Sequence, residues 1–336
     1  MSRPDLDAEL IGAVRTLALH PVLVDIGASG EPPAAWTSIA PESVYVGFDP
    51  DVRELSETGA DRFLTRHVVN AAVLPEAMDG QATIFLTRSP FCSSTLEPDH
   101  EALSSFLFAD LFQVERTAAV PAITISQALQ QLGLDRVHWF KTDSQGTDLR
   151  LFRSLPDRVR DRVLAVDVEP GLIDAYVGED MFVETHAYLA RTGYWLSNLR
   201  IGGAVRMRAA TLREIGALDR ATVETAVRSS PGWCEARYLR TIEALGNPAF
   251  SREDWQLAWV FAMADRQWGF ALDLAHEYAQ RFDTGAAQRL MAELPVRSIR
   301  AAAHTSLWRR IARSVVPSGL TRVARSVLCG RDGATS

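Results

Sequence analysis

The chain has 336 residues, 47% hydrophobic and 23% charged, with a formal charge of −7. That length allows one large domain or two ordinary ones, and the balance is that of a soluble globular protein. The acidic charge gives no global case for nucleic-acid binding, no apolar run reaches membrane-spanning length, and Cys92, Cys234 and Cys329 lie far apart without metal spacing.

The N-terminal stretch "MSRPDLDAELIGAVRTLAL" carries acids through its first apolar run, which predicts an amphipathic helix rather than a signal peptide. With cysteine use of a reduced kind, a cytoplasmic location is expected. "PVLVDIG" predicts a first strand running into the turn Gly27-Ala28-Ser29-Gly30-Glu31-Pro32-Pro33, where either proline suits the first turn of a following helix. "ESVYVGFDP" is a second strand ending at Asp49, "RHVVNAAV" a third, and "ATIFLT" an extra one. "ISQALQQLGL" reads as a helix, "VHWFKTD" as a fourth core strand, "GTDLRLFRSLP" as a helix and "RVLAVDVEP" as a fifth strand. "EDMFVETHAYLARTGYWLSNL" is a helix ending near Gly193, then a late strand. Apolar strands separated by helices predict an α/β fold with a mostly parallel sheet covered on both faces.

After about residue 210 the β pattern stops, and an all-helical C-terminal region is expected. "CEARYLRTIEALG" reads as a helix stopped by Gly246-Asn247-Pro248. Trp255, Ala258, Trp259, Ala262 and Met263 recur at helical spacing, as do Ala271, Leu274, Ala275, Tyr278 and Phe282, with a break near Gln267–Gly269. That is an antiparallel helical hairpin, its tryptophans packing residues rather than a ligand box. The expected division is an α/β domain over 1–210, a helical accessory region over 211–296 and a basic tail over 297–336. From Arg297 to Arg331 the tail holds eight arginines and no acid, with apolar and basic sides in "SLWRRIARSVV" and "GLTRVARSVL". It fits an anionic membrane surface, the inner membrane face included, or an acidic partner, and equally a solvated tail or a lid.

The turn after the first strand lacks the middle glycine of a dinucleotide fingerprint, and Asp25 and Glu31 would put negative charge beside a diphosphate. S-adenosylmethionine fits better. It carries a sulfonium and an ammonium and has no phosphate. A strand-end acid such as Asp49 can accept both ribose hydroxyls of an adenosine. In the fourth strand, "WFKTDSQGTDL" places Lys141 and Asp143 two apart on one face at a carboxyl end, and "VLAVDVEP" ends in Asp167 and Glu169. Lys141 is the only lysine in the chain, which points to a place where a compact ammonium is needed and a planar guanidinium will not fit.

The ordered set "VDIGAS", "YVGFDP", "VVNAAV", "SSTL", "FKTDSQGTDLRLFRSL" and "VLAVDVEP…YLARTGYWL" resembles the FkbM family of S-adenosylmethionine-dependent methyltransferases, over roughly residues 20 to 200. The resemblance implies a Rossmann-like methyltransferase fold and methyl transfer to a hydroxyl of a sugar, glycan or related metabolite. By position Asp25, Gly27 and Ala28, with Ser29 next in the turn, match the cofactor turn. Asp49 matches the ribose site, and Asn70 and Ala71 the strand end beside adenine. Lys141, Asp143 and Gly146 match the fourth-strand segment. The chain departs from the pattern at Ser29-Gly30-Glu31, at Asp148 in place of a glutamate, and at Ser154-Leu155 where a glycine is common.

Methyl transfer to oxygen needs in-line placement of the reactants and removal of a hydroxyl proton. Candidate catalytic residues are Asp143, Lys141 and His100, with His186 a further base. A divalent cation such as Mg, held by Asp143, Asp167 and Glu169, would lower the hydroxyl pKa. A degenerate methyltransferase fold acting as a scaffold in glycan assembly is the competing expectation.

Overall fold

A computed structural model describes residues 3–50, 62–76, 79–216, 218–282 and 285–315 of the chain. Its centre is a seven-stranded mixed sheet in the order β3 (Thr65–Val69), β2 (Val44–Phe48), β1 (Val22–Ile26), β7 (Trp139–Thr142), β8 (Ala165–Val168), β10 (Ser230–Arg240), β9 (Tyr194–Ala204). The pairs β1–β2, β2–β3, β1–β7 and β7–β8 are parallel, while β10 runs antiparallel to both β8 and β9. β1 is buried at all five positions, as a strand covered on both faces must be. A second sheet of three strands has the order β4 (Ala72–Leu74), β6 (Val114–Thr124), β5 (Gln81–Thr87). The expected third strand is thus two strands in two sheets. The Ala71 N–H turns back onto Val69 O (3.0 Å) and breaks the ladder there.

The expected helix over "CEARYLRTIEALG" is mostly strand. β10 occupies its first half, and only Ile242–Leu245 is helical. Gly232, Cys234, Ala236 and Tyr238 alternate with Trp233, Glu235 and Arg237, and the first set is buried. The sheet therefore draws on residues well past 210, and the region 211–296 is not all helical.

One face of the sheet carries Val24, Ile26, Phe48, Phe140, Val166 and Tyr238. It packs on α2 (Ile125–Leu132), α3 (Asp148–Arg153) and α4 (Phe182–Arg191). The α2 start is fixed by a Thr124–Gln127 capping box and its end by Gly133 in the left-handed region. The opposite face presents Leu23, Tyr45, Trp139 and Leu239. It is roofed by α1 (Arg3–Thr16) and by the expected hairpin, α5 (Arg252–Ala264) and α6 (Trp268–Arg281), with α7 (Ala286–Val315) beyond. α5 is buried on every side from Asp254 to Met263, with Trp255 and Trp259 fully enclosed. The helical region is a wall of the main core. A chain ending at residue 210 loses β10 and this roof together, and is expected to show no cooperative urea transition and no near-ultraviolet circular dichroism.

Among the side chains of α7 whose burial is described, the last fully buried one is Ser298, Arg297 pairs with Glu9 (3.0 Å), and Arg300 is exposed. The tail beyond residue 315 lies outside the described residues. Among the described residues no helix is long and apolar enough to cross a membrane.

Candidate functional site

Outward from β1 in the strand order lie β2 and β3 on one side and β7 and β8 on the other, so chain order reverses between β1 and β7. In open α/β sheets ligands lie outside the carboxyl ends of the strands at such a switch point. Gly27 makes the turn there. Its φ is +75°, and a Cβ on it would stand 2.1 Å from the Asp143 carbonyl oxygen, so conformation and close approach both demand glycine. The N–H groups of Gly27 and Ala28 both donate to Phe48 O at 3.0 Å, tying the turn to the end of β2.

Beneath this turn Asp25 is buried, its Oδ1 2.8 Å from Lys141 Nζ, while Tyr45 donates its hydroxyl to Oδ2 at 3.1 Å. Burial pushes the Asp25 carboxyl up, against the pull of Lys141. Lys141 also donates to Gly27 O (3.2 Å). Burial works against its charge, but Asp25 and Asp143 outweigh it and hold the ammonium above its usual range. A compact ammonium thus bridges a carboxylate and a carbonyl two residues apart, which explains a lone lysine in an arginine-rich chain.

Asp143 continues the β1 ladder through its N–H to Ile26 O (2.9 Å), and its Oδ1 accepts from Gln145 Nε2 (2.6 Å). Glu169 lies against it. Burial first, then the Asp143 charge and a hydrogen bond to Asp143, push Glu169 up to about 9, so Glu169 holds its proton at neutral pH. Asp148 is a clamp rather than a reacting group. It accepts from Thr142 Oγ1 (3.1 Å), Ser144 N (3.0 Å) and Glu169 N (2.6 Å), joining the ends of β7 and β8. Burial raises it to about 6.

The retained Glu169 proton has a measurable consequence. An unfolded Glu169 ionises near 4.5, while the folded one stays neutral until about 9. Its contribution to stability is complete below pH 4.5 and is lost as pH climbs through about 9. Glu169→Gln keeps a donor towards Asp143 and removes the titration. The variant is expected to match the parent melting temperature at pH 5 and to exceed it by several degrees at pH 8. Parallel decline of both proteins would assign the titration elsewhere.

The expected metal set is not assembled. Asp167 accepts from Arg237 through both oxygens (2.8 and 2.7 Å) and from Trp139 Nε1 (3.1 Å), and Arg237 continues to Asp265 (2.8 Å). Among the described residues no group of three His, Cys, Asp or Glu could hold a metal ion. Asp49 is buried at the end of β2, Ala71 is buried, and Asn70 is exposed. Ser29 and Glu31 are exposed, and Glu31 pairs with Arg62 (2.7 Å). The helix expected after the turn is replaced by 3₁₀ turns, Ala34–Trp36 and Ala40–Glu42, with Trp36 anchored in the core. His100 is exposed at the start of a four-residue helix, and His186 sits on α4 beside Tyr238 OH (3.2 Å). Neither belongs to the acid cluster.

The chain matches no family model and no curated protein.

Three further residues surround the Gln145–Gly146 turn. Ser94 Oγ donates to Gln145 O (2.6 Å), and Tyr176 OH stands 3.1 Å from Gln145 Oε1 and 3.0 Å from Cys92 O. Glu179 accepts from the Ala175 and Tyr176 N–H groups, and burial raises it to about 7. A separate cavity of about 550 Å³ lies at the other end of the sheet, lined by Phe152, Tyr194, Arg240 and Phe250 among others. Its buried Arg240 is spent on the carbonyls of Asp161, Val163 and Thr192, which makes it a structural brace. The chemistry converges at the switch point instead.

Proposed function

We propose that the chain is an S-adenosylmethionine-dependent methyltransferase acting on a hydroxyl of a sugar, glycan or related metabolite. One observation carries this reading: Asp25, Lys141, Asp143 and Glu169 converge where the strand order reverses. The strand ends there carry several acids, and no α-helix begins directly behind the Gly27 turn. A pyrophosphate there would meet repulsion without a helix dipole to offset it. A ligand with a sulfonium and an ammonium meets attraction.

When bound, the cofactor supplies an electrophilic methyl group. Asp49 would accept the ribose hydroxyls, Asn70 and Ala71 would flank the adenine, and Gly27, Ala28 and Ser29 would line the turn side. Lys141 holds Asp25 and the Gly27 carbonyl in place. Asp143 would orient the acceptor hydroxyl and take its proton as the new carbon–oxygen bond forms. The Glu31–Arg62 pair beside the turn is the one feature that favours the scaffold reading instead.

Calorimetric titration with S-adenosylmethionine, S-adenosylhomocysteine and NAD separates these readings. The first two are expected to bind and NAD is not. A folded protein that binds neither sulfur ligand is a scaffold, and one that binds NAD alone is an oxidoreductase.

A further inference from the structure

The three most exposed large apolar side chains among the described residues are Phe91 (80%), Val183 (74%) and Val177 (59%). They lie on separate segments, yet all three segments are hydrogen-bonded to one turn, Gln145–Gly146. Ser94, just after Phe91, donates its hydroxyl to Gln145 O (2.6 Å). Tyr176, next to Val177, sets its hydroxyl between Gln145 Oε1 and Cys92 O. The Asp180 N–H, shortly before Val183, donates to Gly146 O (2.8 Å). The same turn supplies the Gln145 amide that holds Asp143. Single exposed apolar residues are ordinary, but three such extremes on segments bonded to the one turn that holds Asp143 mark a binding rim.

We infer that this rim takes the apolar part of an amphipathic acceptor, a hydroxylated head group joined to an aliphatic chain. The head reaches Asp143 and Glu169, which offer polar partners, and the chain lies across Phe91, Val177 and Val183. A fully polar sugar would leave the rim wet. The inference rests on the methyltransferase reading for the role of the head group. The rim itself is independent of it.

The test is titration of the full-length protein, with S-adenosylhomocysteine present, by glucose and by octyl β-glucoside below its micelle concentration. Octyl β-glucoside is expected to bind at least about tenfold more tightly, the gain from burying roughly two methylene groups. A Phe91→Ser/Val177→Ser/Val183→Ser variant is expected to lose that preference while keeping its melting temperature and its affinity for S-adenosylhomocysteine. Equal affinities, no binding of either glucoside or sugar, or a preference unchanged in the variant would overturn the inference. So would a dimer seen by light scattering that the variant abolishes, since a second copy would then cover the rim. If S-adenosylhomocysteine fails to bind but the octyl preference persists, the methyltransferase reading falls and the rim stands. If the cofactor product binds and the preference is absent, only the rim falls.

Discussion

Asp143→Asn is expected to lower turnover, followed as S-adenosylhomocysteine formed, by roughly a hundredfold or more, the scale of losing a positioned acid–base group. The substitution keeps shape, and an amide oxygen can still accept from Gln145 Nε2, which now lies 2.6 Å from Oδ1. What disappears is the charge that takes the hydroxyl proton. That charge is also the second cause, after burial, of the high Glu169 pKa. The variant should therefore show Glu169 ionising at lower pH, which reports that the charge is gone, while the fall in turnover reports its role in the chemistry. Binding of S-adenosylhomocysteine should change little. Normal turnover in the variant would remove Asp143 from the chemistry and move the search to Glu169.

Lys141→Met is expected to cost about 3–5 kcal/mol of stability, the penalty for leaving one partner of a buried ion pair alone. The side chain of Asp25 is 3% exposed, so its carboxylate cannot recover the loss from water. Tyr45 remains as a donor, but one hydroxyl does not replace an ammonium at 2.8 Å. Asp25→Asn combined with Lys141→Met should recover part of the loss, because no charge is then stranded. Lys141→Arg should also be harmful, since the planar head must fit where Nζ now meets both Asp25 and Gly27 O. Urea unfolding of the three variants decides the matter. A single Lys141→Met chain as stable as the parent would show that Asp25 is neutral in the fold.

The strand-end residues were legible because strand ends are legible. Asp25, Asp49, Lys141 and Asp143 each close an apolar run, and the sheet aligns those runs. Gln145, Ser94 and Tyr176 were not, because they meet through loops far apart in the chain. Asp167 shows how one misreading led to another. Its partner Arg237 belongs to β10, and "CEARYLR" is rich in residues that also suit helices. The alternation of Gly232, Cys234, Ala236 and Tyr238 was present in the sequence. Placement between β8 and β9 decided it over propensity. With that strand read as helix, Asp167 looked available for a metal. The proline-rich turn misled in the other direction, since Pro32 and Pro33 suit a helix start but here lead into 3₁₀ turns pinned by Trp36.

The late position of β10 and of the roofing helices also sets an order of events on the ribosome. β8 ends at Val168, its later sheet neighbour β10 begins only at Ser230, and α5, which roofs the face of Trp139 through Phe261, starts at Arg252. At roughly 5–20 residues per second, the nascent chain spends several seconds with that face unroofed. Trp139 then lacks its Phe261 neighbour, and the central sheet cannot complete its fold until β10 and α5 have been synthesised.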